Sequence, residues 1–232
     1  MKLIITGATG NAGSGILAAA LACPQVSEVT VLSRRPVPIS HSKLAVILLP
    51  SADYPSGFDT CSPELVERLR GHSAIIWALA GNQAKMSKEE YVKVTHDYTL
   101  NFGKALSALG TADKPFKFIF ISGGGAGLSE KALQLAETES FMTVSISPGR
   151  IIPTAEHSAH MGILTATALR TMGAIFGVLW LSMVISAADL GYATVRMATE
   201  DWGWDLKMEE GWIGNGSLVK AIPAAKIAQR DI

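Results

Sequence analysis

Thr6-Gly7-Ala8-Thr9-Gly10-Asn11-Ala12-Gly13 decides how this chain folds. The stretch follows the apolar run Leu3-Ile4-Ile5 and leads straight into the Ala/Leu-rich segment Ile16 to Ala22. A strand, a glycine turn and a helix start therefore follow one another without a break. In that setting the three glycines have separate tasks. Gly7 permits the tight turn, Gly10 lets a pyrophosphate approach the backbone, and Gly13 lets helix and strand pack closely. The helix start then offers unpaired N–H groups and a positive dipole end to the phosphates. Thr6, Gly7, Thr9, Gly10, Asn11, Ala12 and Gly13 are the expected contacts. The alternative is an ordinary glycine-rich strand-to-helix turn.

Glu28-Val29-Thr30-Val31-Leu32-Ser33 reads as the second strand. A site selective for NAD places Asp or Glu at its end to accept hydrogen bonds from the ribose 2′-hydroxyl. Here Ser33 is followed by Arg34 and Arg35. A carboxylate repels a 2′-phosphate, whereas a planar guanidinium grips it with paired, charge-assisted hydrogen bonds. The expected coenzyme is NADP, with Arg34 the first candidate for the phosphate and Arg35 the second. The alternative is that both arginines merely solvate a loop ahead of Pro36 and Pro38.

Further apolar runs, Leu44 to Leu49, Ala74 to Ala80, Phe116 to Ser122 and Met142 to Ser147, suit strands. Pro63 to Arg70, Lys88 to Leu109 and Ser129 to Glu139 suit helices. Continuous apolar strands alternating with helices predict an α/β chain with a parallel sheet buried on both faces, and connection handedness makes it Rossmann-like and doubly wound. Residues 1–154 are assigned to this dinucleotide-binding unit, and 155–232 to a substrate-side helical extension and C-terminal cap of the same domain. Within the cap, the Trp-Gly-Trp and Gly-Asn-Gly segments predict a turn or short hairpin. The loop from Pro50 to Ser62 is expected to be exposed, with Asp53 a turn former in preference to an adenine contact. Leu79, Ala80 and Gly81 close the fourth strand with small residues that let a coenzyme pass. Pro148 and Gly149 follow the sixth strand, toward the nicotinamide end.

Bulk composition narrows the function. Twenty basic and twenty acidic residues give a formal charge of zero, and no basic tract is present, which argues against nucleic acid as a partner. Cys23 and Cys61, the two cysteines, have neither metal-ligand nor disulfide-framework spacing. His157 and His160 lack a third ligand, so no metal is expected. A strand that starts next to Met1 leaves no room for a cleavable leader, and the expected compartment is cytoplasmic.

Together the segments TGATGNAG (6–13), LSRR (32–35), ALAG (78–81), EEYVKVTHDYTLNFGKALSALG (89–110), ISGGGAG (121–127) and SPGRIIPT (147–154) resemble the short-chain dehydrogenase/reductase superfamily, in its atypical, epimerase-like branch. The likeness covers roughly residues 1 to 154. It implies a serine after the fifth strand, here Ser122, and a Tyr-x-x-x-Lys pair on the next helix, whose lysine binds the coenzyme ribose and corresponds here to Lys131. The tyrosine of that pair exchanges a proton with the substrate oxygen. At its position stands Gly127, and no tyrosine occurs between Tyr98 and Tyr192. Substitute acids are His157, the first choice, then His160, Tyr91, His96, Tyr98 and Glu156. For each of these a structural or surface role competes.

Thr171 to Ala188 carries no charge, a run of 18 residues between Arg170 and Asp189. As one helix it would extend about 27 Å, borderline for a bilayer. Gly173, Gly177, Ser182 and Ser186 and the lack of a basic flank argue for a buried wall of the substrate cleft or a homodimer contact, ahead of peripheral membrane attachment. Phe176, Trp180 and Met183 would suit a small apolar substrate. The expected activity is an NADP(H)-dependent oxidoreductase acting on a carbonyl or activated double bond. The rivals are a dinucleotide-binding sensor without redox chemistry, and an isomerase, lyase or cyclase that reuses the cleft.

Overall fold

The computed structural model describes residues 1–81, 86–123, 127–153, 184–200, 202–208 and 211–223. Seven parallel strands form the central sheet: β1 (Lys2–Thr6), β2 (Glu28–Ser33), β3 (Leu44–Leu48), β4 (His72–Trp77), β5 (Phe116–Ile121), β6 (Phe141–Ser147) and β9 (Trp212–Gly214), in the spatial order β3-β2-β1-β4-β5-β6-β9. A separate parallel pair joins β7 (Arg150–Ile152) to β8 (Val184–Ser186). The helices are α1 (Asn11–Ala22), α2 (Pro63–Arg68), α3 (Lys88–Val92), α4 (Tyr98–Leu106), α5 (Gly127–Leu135), α6 (Ala187–Thr199) and α7 (Asn215–Ala221). A π-helical turn, Lys93–Asp97, joins α3 to α4, so the predicted long helix is continuous through Leu109.

Strand alternation sends two different sets of side chains to the two faces. Leu3, Ile5, Ala74, Ile76, Ile119, Ile121, Val144 and Ile146 form an aliphatic face with residues of α1, α6 and α7. Ile4, Ile75, Trp77, Phe116, Phe118, Phe120 and Phe141 form a largely aromatic face with residues of α2, α4 and α5. Both faces are buried, as the unbroken apolar strands require.

Several helix starts follow directly from the sequence. Ser62 caps α2, its hydroxyl accepting from Leu65 N at 3.3 Å, with Pro63 in the first turn. Ser87 and Glu90 make a reciprocal capping box on α3. Ser186 caps α6 through Asp189 N at 3.0 Å.

Three expectations are corrected. Trp-Gly-Trp does turn, with Gly203 at φ +81°, but Gly-Asn-Gly is no turn or hairpin: Gly214 ends the seventh parallel strand, paired with β6, and Asn215 starts α7; a three-residue strand is too short to carry a period. The apolar stretch 171–188 is not one helix, because its end, Val184–Ser186, is a strand and α6 starts at Ala187; the remainder of that stretch lies outside the described residues. The fourth strand stops at Trp77, since the hydroxyl of Thr6 takes the amides of Ala78 and Leu79 at 3.1 and 3.2 Å and draws them out of the ladder. α6 packs against α1, so the described residues from 184 onward contribute to the layers of the main sheet. Among the described residues no helix is long and apolar enough to cross a membrane.

Candidate functional site

Strand order reverses between β1 and β4, and loops at their carboxyl ends enclose a cleft of about 970 Å³. This is where open α/β sheets bind ligands. Gly7, Thr9, Gly10, Asn11, Ala12 and Gly13 form its floor. Gly7 has φ +68°, and a Cβ on it would lie 2.2 Å from the carbonyl oxygen of Ala78. A Cβ on Gly13 would lie 2.0 Å from the oxygen of Gly7. Turn, helix and the loop after β4 are thus in backbone contact, which only glycine allows at both positions. Gly10 differs. It is the N-cap of α1, its amide donates to Gly7 O at 2.8 Å, and a Cβ there would meet only that oxygen, at 3.2 Å. The space beyond it is open.

No side chain caps α1, and its first turn holds no acidic residue. The amides of Asn11, Ala12 and Gly13 have no intrahelical acceptor, and with the helix dipole they favour an anion in the cleft. The arrangement fits a dinucleotide's pyrophosphate: an open glycine, unpaired amides and a positive rim.

That rim is Arg34 and Arg35, both exposed and both lining the cleft. Arg35 bridges from β2 to the glycine loop, its Nε donating to Thr9 Oγ1 at 3.1 Å and its amide to Ser33 Oγ at 3.3 Å. Arg34 stands close enough to Tyr98 for its charge to favour the phenolate, although burial and a hydrogen bond with Asp59 outweigh it and hold that phenol above its ordinary pKa. Asp59 is itself held below the usual carboxylate range, chiefly by Lys93 at 2.8 Å and then by Tyr98. Asp53 lies exposed in a turn that Ser51 and Tyr54 close, and is not in the cleft.

Ala78, Leu79, Ala80 and Gly81 form the opposite wall, and Gly123 closes it from the end of β5. Tyr91 of α3 also lines the cleft. A Cβ on Gly81 would lie 2.9 Å from Met86 Sδ and 3.1 Å from the Tyr91 ring, so the glycine leaves room for both side chains. Asn11 ties the floor to β7, its Nδ2 donating to Ile151 O at 2.9 Å.

No protein-family model matches the chain. The leucinostatins biosynthesis cluster protein T of Purpureocillium lilacinum is 30% identical over 125 residues, which cover 54% of this chain and 44% of that protein. The chain thus spans less than half of that relative. The mitochondrial protein FMP52 of Candida albicans is 26% identical across 95% of this chain and 97% of its own. Among solved structures, an oxidoreductase of the short-chain dehydrogenase/reductase family from Burkholderia thailandensis superposes with a TM-score of 0.66 at 13% identity, covering 94% of this chain and 92% of that one. The carbonyl reductase Sniffer of D. melanogaster gives 0.61 at 13% identity, over 93% and 96%. This chain has the short-chain dehydrogenase/reductase fold.

Within that fold, Ser122 and Lys131, the described residues expected to do chemistry, do not line the cleft. Ser122 is buried, and its hydroxyl donates to Ile146 O at 3.2 Å, a bond across the sheet end. Lys131 lies exposed on α5 and does not line the cleft, and Gly127 opens that helix with nothing near its Cβ position. Thr6 supports the floor from beneath and is fully buried. Pro148 and Gly149 lie half-buried between β6 and β7, outside the cleft lining. His157, with Glu156 and His160, falls outside the described residues. His96 pairs with Asp97 at 2.9 Å. Ala78 lines the cleft with the small residues that follow it, and Leu32 and Ser33 line it beside the arginines although sequence named neither as a contact, since an apolar or small residue at a strand end carries no signal of its own. Of the two thiols, Cys61 is pushed up to about 12 by burial and is inert as a nucleophile at neutral pH.

Proposed function

We propose that the protein is an NADP(H)-dependent oxidoreductase for a carbonyl or activated double bond of a small apolar molecule. The observation that carries this reading is the cleft at the strand-order reversal, with an uncapped helix start on its floor and two arginines on its rim. The backbone amides of Asn11, Ala12 and Gly13 would hold the pyrophosphate. Arg34, with Arg35 braced against Thr9, would take the ribose 2′-phosphate. The coenzyme, when bound, supplies the hydride equivalent; the protein supplies orientation and an apolar wall from Leu79 and Ala80. The carbonyl reductase named among the solved structures supports the substrate class by analogy of fold alone. Cytoplasm is our proposed compartment, although FMP52 carries a mitochondrial label; cell fractionation decides it.

Titration of purified protein with NADPH, followed by its fluorescence, tests the proposal. Tight binding is expected, with consumption in the presence of at least one member of a panel of ketones, enones and quinones. Arg34→Glu and Arg35→Glu should weaken NADP far more than NAD, and equal loss for both would remove the phosphate clamp.

One observation favours a second reading, a dinucleotide-binding sensor. Ser122 is committed to a backbone bond and Lys131 has no tyrosine four residues before it. Binding of NADPH without consumption across the panel is the outcome that selects it.

A further inference from the structure

We infer that the free edge of β3 receives an extended, acidic segment of another protein as an added strand. β3 ends the sheet on one side and pairs with β2 alone among the described strands. Val29 N donates to Lys43 O at 2.8 Å and Leu49 N to Ser33 O at 2.9 Å, so the odd-numbered residues of β3 address β2. By alternation the main-chain groups of Leu44, Val46 and Leu48 face outward. The Leu44 amide turns back to His41 O at 2.9 Å. The carbonyls of Leu44 and Val46 and the amides of Val46 and Leu48 have no main-chain partner among the described residues, and they form the template for a further strand.

Edge strands are usually blunted by a charge, a proline or a bulge. Leu44-Ala45-Val46-Ile47-Leu48 carries neither charge nor proline, and its register with β2 is unbroken. Parallel neighbours are usually joined through a helix, which then covers the sheet. Residues 34–43, between β2 and β3, include no helix. Leu44 still packs on the aliphatic face, but Val46 and Leu48, on the same side of the strand, stay 38% and 36% exposed. The edge thus offers hydrogen bonds and an apolar strip together, the two parts of strand addition.

Charge selects the occupant. No acidic residue occurs between Val29 and Ala52, whereas Arg34, Arg35 and Lys43 do. Lys43 stands at the start of β3, its ammonium held by Leu21 O and Cys23 O at 3.3 and 3.0 Å. The register of Ser33 with Leu48 brings the arginines level with the strand's other end. Glu28, the first carboxylate back along β2, is paired with Lys2 at 2.7 Å. A second copy docked edge to edge in antiparallel fashion would turn each Lys43 toward the other's arginines. A lipid surface would leave the outward amides and carbonyls unpaired. An acidic strand meets both requirements.

The probe is a fluorescein-labelled peptide, Glu-Asp-Val-Thr-Val-Thr-Val-Asp-Glu, read by anisotropy against the full chain. Wild type should bind it, and less tightly as salt rises. With lysine at its acidic positions the peptide should bind about tenfold more weakly or worse. N-methylation at two adjacent central residues blocks both edges of the peptide and should abolish binding. Val46→Pro removes one outward donor where an edge tolerates proline and should weaken binding about 3- to 10-fold. Val46→Ser keeps the donor and trims the apolar strip, for a loss of about threefold, with circular dichroism unchanged. No binding by wild type, equal binding of the lysine or N-methylated peptide, or full binding by both Val46 variants overturns the inference. So does a dimer of the protein alone that Val46→Ser dissolves in sedimentation, which gives the edge to a second copy. Val46-dependent pelleting with phosphatidylserine vesicles, without peptide binding, overturns it in favour of a membrane.

Discussion

A methyl group on Gly7 would meet the oxygen of Ala78 at 2.2 Å and one on Gly13 would meet that of Gly7 at 2.0 Å, but on Gly10 it would find only an oxygen at 3.2 Å. Three glycines that look alike in sequence therefore fail in different ways. Gly13→Ala forces the turn away from the helix and should lower stability by about 1–3 kcal/mol, the usual range for overpacking, as read by chemical denaturation. Gly10→Ala should leave stability nearly intact yet place a methyl where a phosphate would lie, weakening NADPH about tenfold or more, or 1.4 kcal/mol per decade. A Gly10→Ala protein that binds coenzyme normally would deny the floor its role. Arg35 behaves differently again, because its Nε bond to Thr9 makes it part of the loop as well as of the rim. Thr9→Val should thus weaken NADP more than NAD in fluorescence titration, since it releases the guanidinium without touching its charge.

Between elements, α1 and α6 pack in backbone contact. A Cβ at Gly15 would lie 2.2 Å from Ala187 O, and one at Gly191 would lie 2.4 Å from Gly15 O. Each helix presents a glycine to the other's backbone. Gly191→Ala should destabilise by about 1–3 kcal/mol, a fall in Tm of about 2–4 °C for each kcal/mol in a chain of this size, with coenzyme affinity preserved wherever the protein remains folded. Loss of coenzyme affinity without loss of Tm would contradict this. Gly7, Gly10 and Gly13 were legible in sequence because strand, turn and helix are contiguous, whereas Gly15 and Gly191 were not, because their partner is a distant segment that no local pattern names. β9 escaped for a related reason: Ile213 is fully buried, but three residues define no alternation. The site divides along the same line. The floor and rim are local motifs at strand ends, and the structure assembles them. Ser122 and Lys131 were carried by likeness to a catalytic set whose tyrosine is missing here, and neither lines the cleft. Tyr91, weighed in sequence as one of several substitute acids, lines the cleft beside Gly81 because α3 packs against the loop after β4.

Across the whole molecule, the sheet holds a titratable group at the end opposite the cleft. His72 opens β4 with its side chain almost fully buried, one ring nitrogen 2.8 Å from Leu69 O and the other 2.9 Å from Thr30 Oγ1 of β2. Since a carbonyl only accepts, Nδ1 carries the proton and donates to Leu69, while Nε2 accepts from the threonine hydroxyl. Burial is the largest influence and lowers the His72 pKa below its ordinary 6.5, although Leu69 O and Glu28 pull the other way. The folded state therefore binds this proton less readily than the unfolded chain. The stability it contributes is complete above the unfolded value and is lost as pH falls through 6.5 toward the folded value. Denaturation midpoints should decline between pH 7.5 and 5.5, with a slope bounded at about 1.4 kcal/mol per pH unit for a single proton. Glu28 and Asp59, both shifted downward, remain ionised throughout that interval and leave the slope to histidine. His72→Gln keeps a donor and an acceptor in place without a titrating group, so it should flatten the profile while costing some stability at pH 7.5. A profile as steep in His72→Gln as in the wild type would show that the acid sensitivity arises elsewhere.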